Sequence, residues 1–196
     1  MDKVSNIYND ETHEYFVDGN YSPSVTEIAK PISFEKLSRL DEAILNKARL
    51  RGTAVHEYAQ LYLLMGELDE EEIPSEYYPY VRQFKDWVFT YKPKILFTEY
   101  RMFSPDFSGT CDLICEIDGE TVLVDYKTTS AIDIKSLSVQ LAGYSILAEK
   151  YGIHIDRAYS LHLKKDSWTF KERERDYEWF NLLLIHNKKM RGIKNG

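Results

Sequence analysis

The sequence predicts an α/β (α+β) fold in which one mixed β-sheet is flanked by helices. Residues 95–127 contain three consecutive stretches rich in β-branched and aromatic residues, separated by short connections. Residues 134–150 then repeat apolar side chains at helical spacing, and residues 157–164 return to the pattern of a strand. Three strands, a helix and a further strand, with more helices before and after them, are typical of a mixed sheet covered by helices.

The first ninety residues are predicted to be mainly helical. The elements expected there are a β-hairpin over residues 7–19, a helical block over residues 34–64 and a helix over residues 77–91. Ser24 precedes Glu27 at the spacing of a capping box, which predicts that a helix also begins at this point. A break in the helical block is expected near Gly52, because glycine weakens a helix interior.

The rest of the chain supplies the sheet and its covering helices. Asp118-Gly119 is a turn sequence, so the stretches on either side of it are expected to form a hairpin. Strands are predicted at residues 95–103, 109–117, 120–127, 157–164 and 168–173, and helices at residues 134–150 and 177–190. We expect a single domain over residues 1–196, divided into a hairpin and helical part (1–92), a sheet core (93–175) and a C-terminal helix (176–196).

Composition restricts the classes of function. The formal net charge of −7 argues against a protein that binds nucleic acid over its whole surface, but it allows a local basic stripe beside metal-binding carboxylates. Cys111 and Cys115 are the two cysteines, so neither a disulfide framework nor an iron–sulfur cluster is expected, and both are interpreted as core residues. No apolar run is long enough to cross a bilayer, and we expect no association with a membrane.

Three charged side chains are expected to meet on neighbouring strands. Strand alternation puts Asp125 and Lys127 on one face, and Asp112 lies on the strand before them. Two anions buried beside a cation are costly unless they are paired or bind a metal, and hard oxygen ligands suit Mg²⁺ or Mn²⁺. A structural salt bridge on the sheet is the alternative, because Asp-x-Lys by itself is a weak motif.

Four short motifs follow one another along the chain. They are Gly52-Thr-Ala-Val-His56, Gly109-Thr-Cys-Asp112, Asp125-Tyr-Lys-Thr128 and Gln140-Leu-Ala-Gly-Tyr144. In this order the chain resembles the RecB-type branch of the PD-(D/E)XK nuclease superfamily. The stretch 21–26 extends the resemblance to a subgroup that includes phage exonucleases and the mitochondrial genome maintenance exonuclease.

This resemblance implies a restriction-endonuclease-like core and a metal-dependent deoxyribonuclease. Within the family it favours an exonuclease that hydrolyses single-stranded DNA from its ends, in replication, recombination or degradation. The expected cofactor is Mg²⁺ or Mn²⁺, without an iron–sulfur cluster. The expected location is the cytoplasm of a bacterial or phage-infected cell.

The resemblance also implies roles for individual residues. The implied metal ligands are His56, Asp112, Asp125, the backbone carbonyl of Tyr126 and, as a weaker candidate, Glu99. Lys127 would be the catalytic lysine, acting with the two aspartates, and Gly52 would let the chain turn into the helix that carries the histidine. Gln140 and Tyr144 would contact DNA or orient the active-site groups; packing of the helix on the sheet is the alternative for Tyr144.

Candidate DNA-contacting residues lie beside these motifs. They are Lys47, Arg49, Arg51, Thr128 and Thr129. The three cations belong to a basic stretch, residues 36–51, that leads into the histidine motif, and the two threonines follow Asp-x-Lys directly. A solvated charged face and a simple strand end are the alternatives for the two groups.

Two other functions remain open at this point. One is a structure- or sequence-selective endonuclease, because a fold does not determine the substrate. The other is a catalytically inactive nuclease-fold subunit that binds DNA within a larger complex. DNA is the partner expected in each case, and a protein partner in a recombination or replication complex is indicated by no particular residue.

Overall fold

The computed structural model describes residues 5–37 and 42–194. The helices are α1 (Val25–Leu37), α2 (Glu42–Met65), α3 (Tyr78–Tyr91), α4 (Ile134–Lys150) and α5 (Tyr177–Lys194). The strands are β1 (Asn6–Asn9), β2 (Glu14–Val17), β3 (Asn20–Ser22), β4 (Lys94–Met102), β5 (Gly109–Ile117), β6 (Glu120–Lys127), β7 (Arg157–Leu163) and β8 (Trp168–Glu172). None of the described helices is both long enough and apolar enough to cross a membrane.

The central sheet has five strands in the order β4-β5-β6-β7-β8. Strands β6 and β7 are parallel, and the other neighbouring pairs are antiparallel. The turn between β5 and β6 uses Asp118 and Gly119, both with positive φ (52° and 83°), as a two-residue hairpin turn requires. A parallel pair needs a long crossover, and α4 supplies it between β6 and β7. The predicted mixed sheet flanked by helices is therefore confirmed.

The two faces of the sheet belong to two apolar cores. Ile114 and Leu123 project to the core shared with α1, α4 and α5. Leu113, Val124 and Tyr126, which alternate with them, project to the core shared with α2 and α3. Because both faces are covered, β5 and β6 are nearly continuous apolar runs, and a carboxylate within them stands out against that background.

A second, three-stranded antiparallel sheet, β1-β2-β3, lies at the N-terminus. The predicted hairpin corresponds to β1 and β2, and β3 adds a strand that the sequence did not predict. Two hydrogen bonds join this sheet to β5 and to the residue before it: the Tyr15 hydroxyl lies 2.7 Å from Thr110 Oγ1 in a partly buried contact, and the buried Ser22 and Ser108 hydroxyls lie 2.8 Å apart. The small sheet is thereby held beside the start of β5, close to Asp112.

Helix α2 runs without interruption through Gly52, so the break predicted there is wrong. A glycine in a helix interior costs about 1 kcal/mol relative to alanine. The burial of Val55 and Ala59 one and two turns further on offsets this cost. A Cβ at Gly52 would lie 3.8 Å from Thr128 Oγ1, so the glycine faces the end of β6 instead of turning the chain.

The start of α1 agrees with its predicted cap, since Glu27 N donates to Ser24 Oγ at 3.0 Å. Residues 38–41, between α1 and α2, lie outside the described part of the chain.

Candidate active site

Glu99 on β4 and Asp112 on β5 lie opposite each other. The sheet register pairs the residues on both sides of Glu99 with the residues on both sides of Asp112. Glu99 itself has φ of 46°, a left-handed conformation that side chains other than glycine rarely adopt. Such backbone strain persists when surrounding contacts hold it in place, and it is common at functional sites.

Asp125 on β6 lies on the other side of Asp112. Extending the β5–β6 register by one pair beyond Leu113 and Val124 brings the two aspartates face to face. The regular ladder stops there, because Tyr126 N donates a 2.6 Å hydrogen bond to Asp112 Oδ2 instead of to a backbone carbonyl. This bond fixes the Asp112 carboxylate and directs its Oδ1 toward α2.

His56 reaches the same place from α2. Its Nδ1 lies 3.4 Å from Glu99 Oε1 and 3.4 Å from Asp112 Oδ1. Its Nε2 lies 3.3 Å from the carbonyl oxygen of Tyr126, whose ring packs edge-on against the imidazole. Within the described residues, His56, Glu99 and Asp112 form the one group of three that could hold a metal ion, with ligand atoms all within 4.8 Å of one another.

The charges of this group depend on one another. Burial opposes protonation of His56, but the carboxylates of Asp112 and Glu99 outweigh it and raise the histidine pKa well above its ordinary value. Burial also opposes ionisation of Asp112, yet His56, Lys127 and the Tyr126 amide lower the pKa of that carboxyl. Burial raises the pKa of Glu99, which His56 only partly offsets. The cluster therefore retains a proton on the imidazole unless another cation takes its place.

The half-buried Lys127 and the buried Asp125 form an ion pair beside this group. Lys127 Nζ lies 2.6 Å from Asp125 Oδ2, although this oxygen has no well-directed hydrogen bond. Burial raises the pKa of Asp125 to about 6, and Lys127 opposes that rise. Burial works against the ammonium of Lys127, but Asp125 and Asp112 raise its pKa and keep it charged. The structure thus places Asp125 against the lysine, outside the three-residue group; its predicted role as a metal ligand stays a prediction.

The site opens into a cleft of about 960 Å³, here called the site cleft. Helix α2 forms one wall, and β4 with the tip of the β1–β2 hairpin forms the other. His56, Glu99 and Lys127 lie along its floor. A cleft with convergent polar groups and perturbed pKa values is a strong candidate for an active site.

Comparison with known proteins bears on the fold. A crystal structure from Eubacterium rectale, provisionally named an exonuclease, superimposes with a TM-score of 0.51 over 76% of this chain and 68% of its own, at 16% sequence identity. The chain shares its fold with that protein. A phage-related exonuclease from Haemophilus somnus 129PT gives a TM-score of 0.41 at 13% identity, over 83% of this chain and 88% of its own. No protein-family model and no curated protein matches the sequence.

Of the two predicted residues of α4, Tyr144 lies near the aspartates and Gln140 lines a neighbouring cleft. Burial raises the pKa of Tyr144 well above its ordinary value, with Asp112 and Asp125 adding to the effect, so its hydroxyl lies within their field. Its ring also packs on Gly109, where an added Cβ would approach to 3.0 Å. Gln140 is half-buried and donates a long hydrogen bond of 3.4 Å to Ser136 Oγ. Tyr144 therefore has a packing role whatever its part in the site.

The predicted DNA-contacting residues divide into two groups. Lys47 and Arg49 are exposed on α2, and Arg49 donates to Asn46. Arg51 instead donates from Nη2 to the Thr128 carbonyl at 2.9 Å, and its guanidinium lies 5.2 Å from the centre of the Tyr80 ring. Thr128 is buried, whereas Thr129 is exposed. Arg51 thus links α2 to the end of β6, directly after Lys127.

Two sets of residues near the site are not predicted from the sequence. His162 on β7 pairs in register with Lys127, is buried, and its Nε2 lies 2.6 Å from the Thr129 carbonyl oxygen. At the hairpin tip, Asp10 pairs with Arg101 at 2.7 Å, and this arginine lies over the ring of Tyr8. Both arrangements join residues that are far apart in the sequence, so no local sequence pattern predicts them.

Proposed function

We propose that the chain is a metal-dependent deoxyribonuclease of the PD-(D/E)XK type, RecB-type branch, forming one nuclease domain over residues 1–196. One observation carries the proposal. Metal-ligating groups from a helix and two strands, His56, Glu99 and Asp112, converge within 4.8 Å beside the ion pair of Lys127 and Asp125. Burying these charged groups together costs free energy. A metal ion held by them would activate water and neutralise charge on a phosphodiester.

The donor set fits a divalent cation. Within the described residues, Glu99 Oε1 and Asp125 Oδ2 are buried and accept no well-directed hydrogen bond, although His56 Nδ1 lies 3.4 Å from the first and Lys127 Nζ lies 2.6 Å from the second. Three carboxylates face one ammonium when the imidazole is neutral, and a divalent cation would balance this excess of two negative charges. His56, Glu99, Asp112 and the Tyr126 carbonyl would hold it, with Asp125 as the further ligand predicted from the motif. Carboxylate and carbonyl oxygens, which form most of this set, are the ligands that suit Mg²⁺ or Mn²⁺.

The residues of the chain have separable tasks in hydrolysis. When bound, the metal would lower the pKa of a water molecule and neutralise charge on the scissile phosphate. Lys127 would donate to a non-bridging phosphate oxygen, and its ammonium would stabilise the additional negative charge of the transition state. Asp125 holds that ammonium in place, and the Tyr126 amide holds Asp112. Water attacks phosphorus in line, the bond to the 3′ oxygen breaks, and the product carries a 5′-phosphate.

The finer proposal is an exonuclease acting on DNA ends, with single strands favoured, within a bacterial or phage-infected cell. Its support is the motif order and the fold shared with the Eubacterium rectale protein. Gln140 and Tyr144 are proposed to orient active-site groups. Lys47, Arg49 and Thr129 are proposed to contact the strand, since their side chains are accessible, at least in part, along the clefts and the face of α2.

The test is digestion of end-labelled linear single-stranded and double-stranded DNA and of circular DNA, with Mg²⁺, Mn²⁺ or EDTA. Lys127→Ala is the inactive variant, and Lys164→Ala, at an exposed lysine just after β7, is the matched control. Metal-dependent loss of linear DNA by the wild type and the control, but not by Lys127→Ala, supports the exonuclease. Cleavage of circles would make it an endonuclease. Binding of DNA without cleavage of any substrate would favour the inactive DNA-binding subunit.

A further inference from the structure

A second cleft of about 700 Å³ lies between the first half of α2 and the segment that joins β6 to α4. It is here called the apolar cleft. Most of its exposed surface is apolar; its apolar lining residues are Ile44, Leu45, Ala48, Ala131, Ile132 and Leu137, and polar side chains, among them Ser130, Asp133, Ser136 and Gln140, also line it. Its volume lies within the range of about 300–1,000 Å³ that is usual for sites that hold small molecules or single nucleotides.

The apolar cleft adjoins the site cleft at the catalytic lysine. Lys127, Ala48 and Thr129 line both clefts, so the ammonium lies on the border between them. Lys47 and Arg51 add two further cations on the α2 side of the apolar cleft. A ligand that spans this border must combine an anionic group at Lys127 with an apolar body beside it.

A nucleotide has this combination of groups. Its phosphate fits the cations at the border, and its base, one sugar away, is a flat body whose faces are apolar. We infer that the apolar cleft receives the unpaired base of a nucleotide adjoining the scissile phosphate. The inference rests on the proposed nuclease function and specifies which part of the protein would hold the base beside the scissile phosphate.

A base at a fully paired, double-stranded DNA end would not enter the apolar cleft. A base within a duplex is stacked on both faces and hydrogen-bonded along its edge, so it enters a cleft only after it is unpaired and unstacked. Because most of the exposed surface of the apolar cleft is apolar, contacts with the faces of the base should dominate, and every base has such a face. The site cleft, in contrast, is lined by carboxylates such as Glu57 and Glu99, and it suits the metal and the phosphate better than a base.

The experiment combines modified strands with variants of the cleft. Single-stranded oligonucleotides carry one abasic nucleotide at successive positions from the labelled end, and kcat/KM is measured for each. Ala131→Phe is designed to fill the apolar cleft, because Ala131 lines this cleft and does not line the site cleft. Ile44→Gln makes its rim polar at a side chain that is 60% exposed, and Leu50→Gln is the matched control at a 53% exposed leucine of the same helix that lines neither cleft.

With the wild type and Leu50→Gln, an abasic nucleotide at one position should lower kcat/KM by about tenfold or more, the usual loss when a pocket loses apolar contacts. Ala131→Phe should have a lower kcat/KM than the wild type on the intact strand, and an abasic nucleotide should not lower it further. The abasic effect in Ile44→Gln should be intermediate between those in the wild type and in Ala131→Phe. Wild-type indifference to the abasic nucleotide at every position would overturn the inference. So would a full abasic effect in Ala131→Phe.

A second readout separates the inference from the function on which it rests. Strands that carry 2-aminopurine at the same positions are titrated with protein in EDTA, where turnover is prevented. Fluorescence should rise at one position with the wild type and Leu50→Gln, because the base leaves its stack, and should not rise with Ala131→Phe. Metal-dependent cleavage without this signal would refute the base site alone. Absence of cleavage with every metal and substrate would refute the nuclease proposal itself.

Discussion

Replacing Asp125 by asparagine should stabilise the fold in the absence of metal. Burial raises the pKa of this carboxyl to about 6, compared with 3.8 for an aspartate in water. At about 1.4 kcal/mol per pH unit, keeping the group ionised in the folded protein at pH 8 costs about 3 kcal/mol. Asp125→Asn keeps the shape and an acceptor oxygen but removes this charge. We expect a gain of about 2–3 kcal/mol in the free energy of unfolding, or on the order of 5–10 °C in Tm.

The dependence on pH identifies the cause. Between about pH 4 and pH 6 the folded protein binds a proton at Asp125 that the unfolded chain has released. The stability contributed by this proton is therefore lost as the pH rises through about 6. The asparagine variant lacks this loss, so its advantage over the wild type should be about half as large at pH 5 as at pH 8.

The measurement is urea or thermal unfolding in EDTA at pH 5 and pH 8. Asp166→Asn, at an exposed aspartate between β7 and β8, is the control and should leave stability unchanged at both values. A variant that is no more stable than the wild type at pH 8 would refute the reasoning. An advantage of equal size at both pH values would show that packing, not charge, is responsible.

Three further predictions concern the metal, the link from α2 and the core. Metal at 100-fold excess over its Kd should stabilise the wild type by about 2.7 kcal/mol, on the order of 5–10 °C by calorimetry, and His56→Gln should lose most of this shift. Arg51→Lys should lower kcat with little change in KM, whereas a rise in KM alone would make Arg51 a direct DNA contact. Gly143→Ala should lower the free energy of unfolding measured in urea by about 1–3 kcal/mol, since its Cβ would lie 2.5 Å from the Phe180 ring. Gly192→Ala is the control and should not lower it, because no described atom lies within 4 Å of the added Cβ.

The sheet could be predicted from the sequence because its signals are local. The strands β5 and β6 are apolar runs joined by Asp118-Gly119, and their predicted bounds agree with the structure, as do those of α4. The error at Gly52 has a tertiary cause: packing of α2 outweighed a weak local preference. Strand β3, with three residues, is too short for a pattern of its own and exists through its pairing with β2.

The site was only partly predictable, because some of its residues are positioned by local sequence signals and others by tertiary packing. Alternation and a short hairpin are sufficient to bring Asp112, Asp125 and Lys127 together, because register follows from the turn. The position of Glu99 depends on a local distortion with φ of 46°, which leaves no trace in composition. The bond from Arg51 to the Thr128 carbonyl depends on where α2 lies across the sheet edge. The charge of Arg51 predicts a contact with DNA, which stays a prediction, whereas its bond to the Thr128 carbonyl follows from the tertiary packing and has no signal in the sequence.

The same carboxylates that lower the stability of the fold by repelling one another also give the site its capacity to bind a cation. Within the described residues, two buried carboxylate oxygens accept no well-directed hydrogen bond, Glu99 is held in a left-handed conformation, and the carboxylates of Asp112 and Glu99 raise the pKa of His56 well above its ordinary value. The two apolar cores, which cover both faces of the sheet, hold this arrangement in place against its own repulsion. A divalent cation would reduce the repulsion among the carboxylates, so it should stabilise the wild type more than Asp125→Asn. The order of stability of these two proteins should thus reverse, or its gap close, when metal is added.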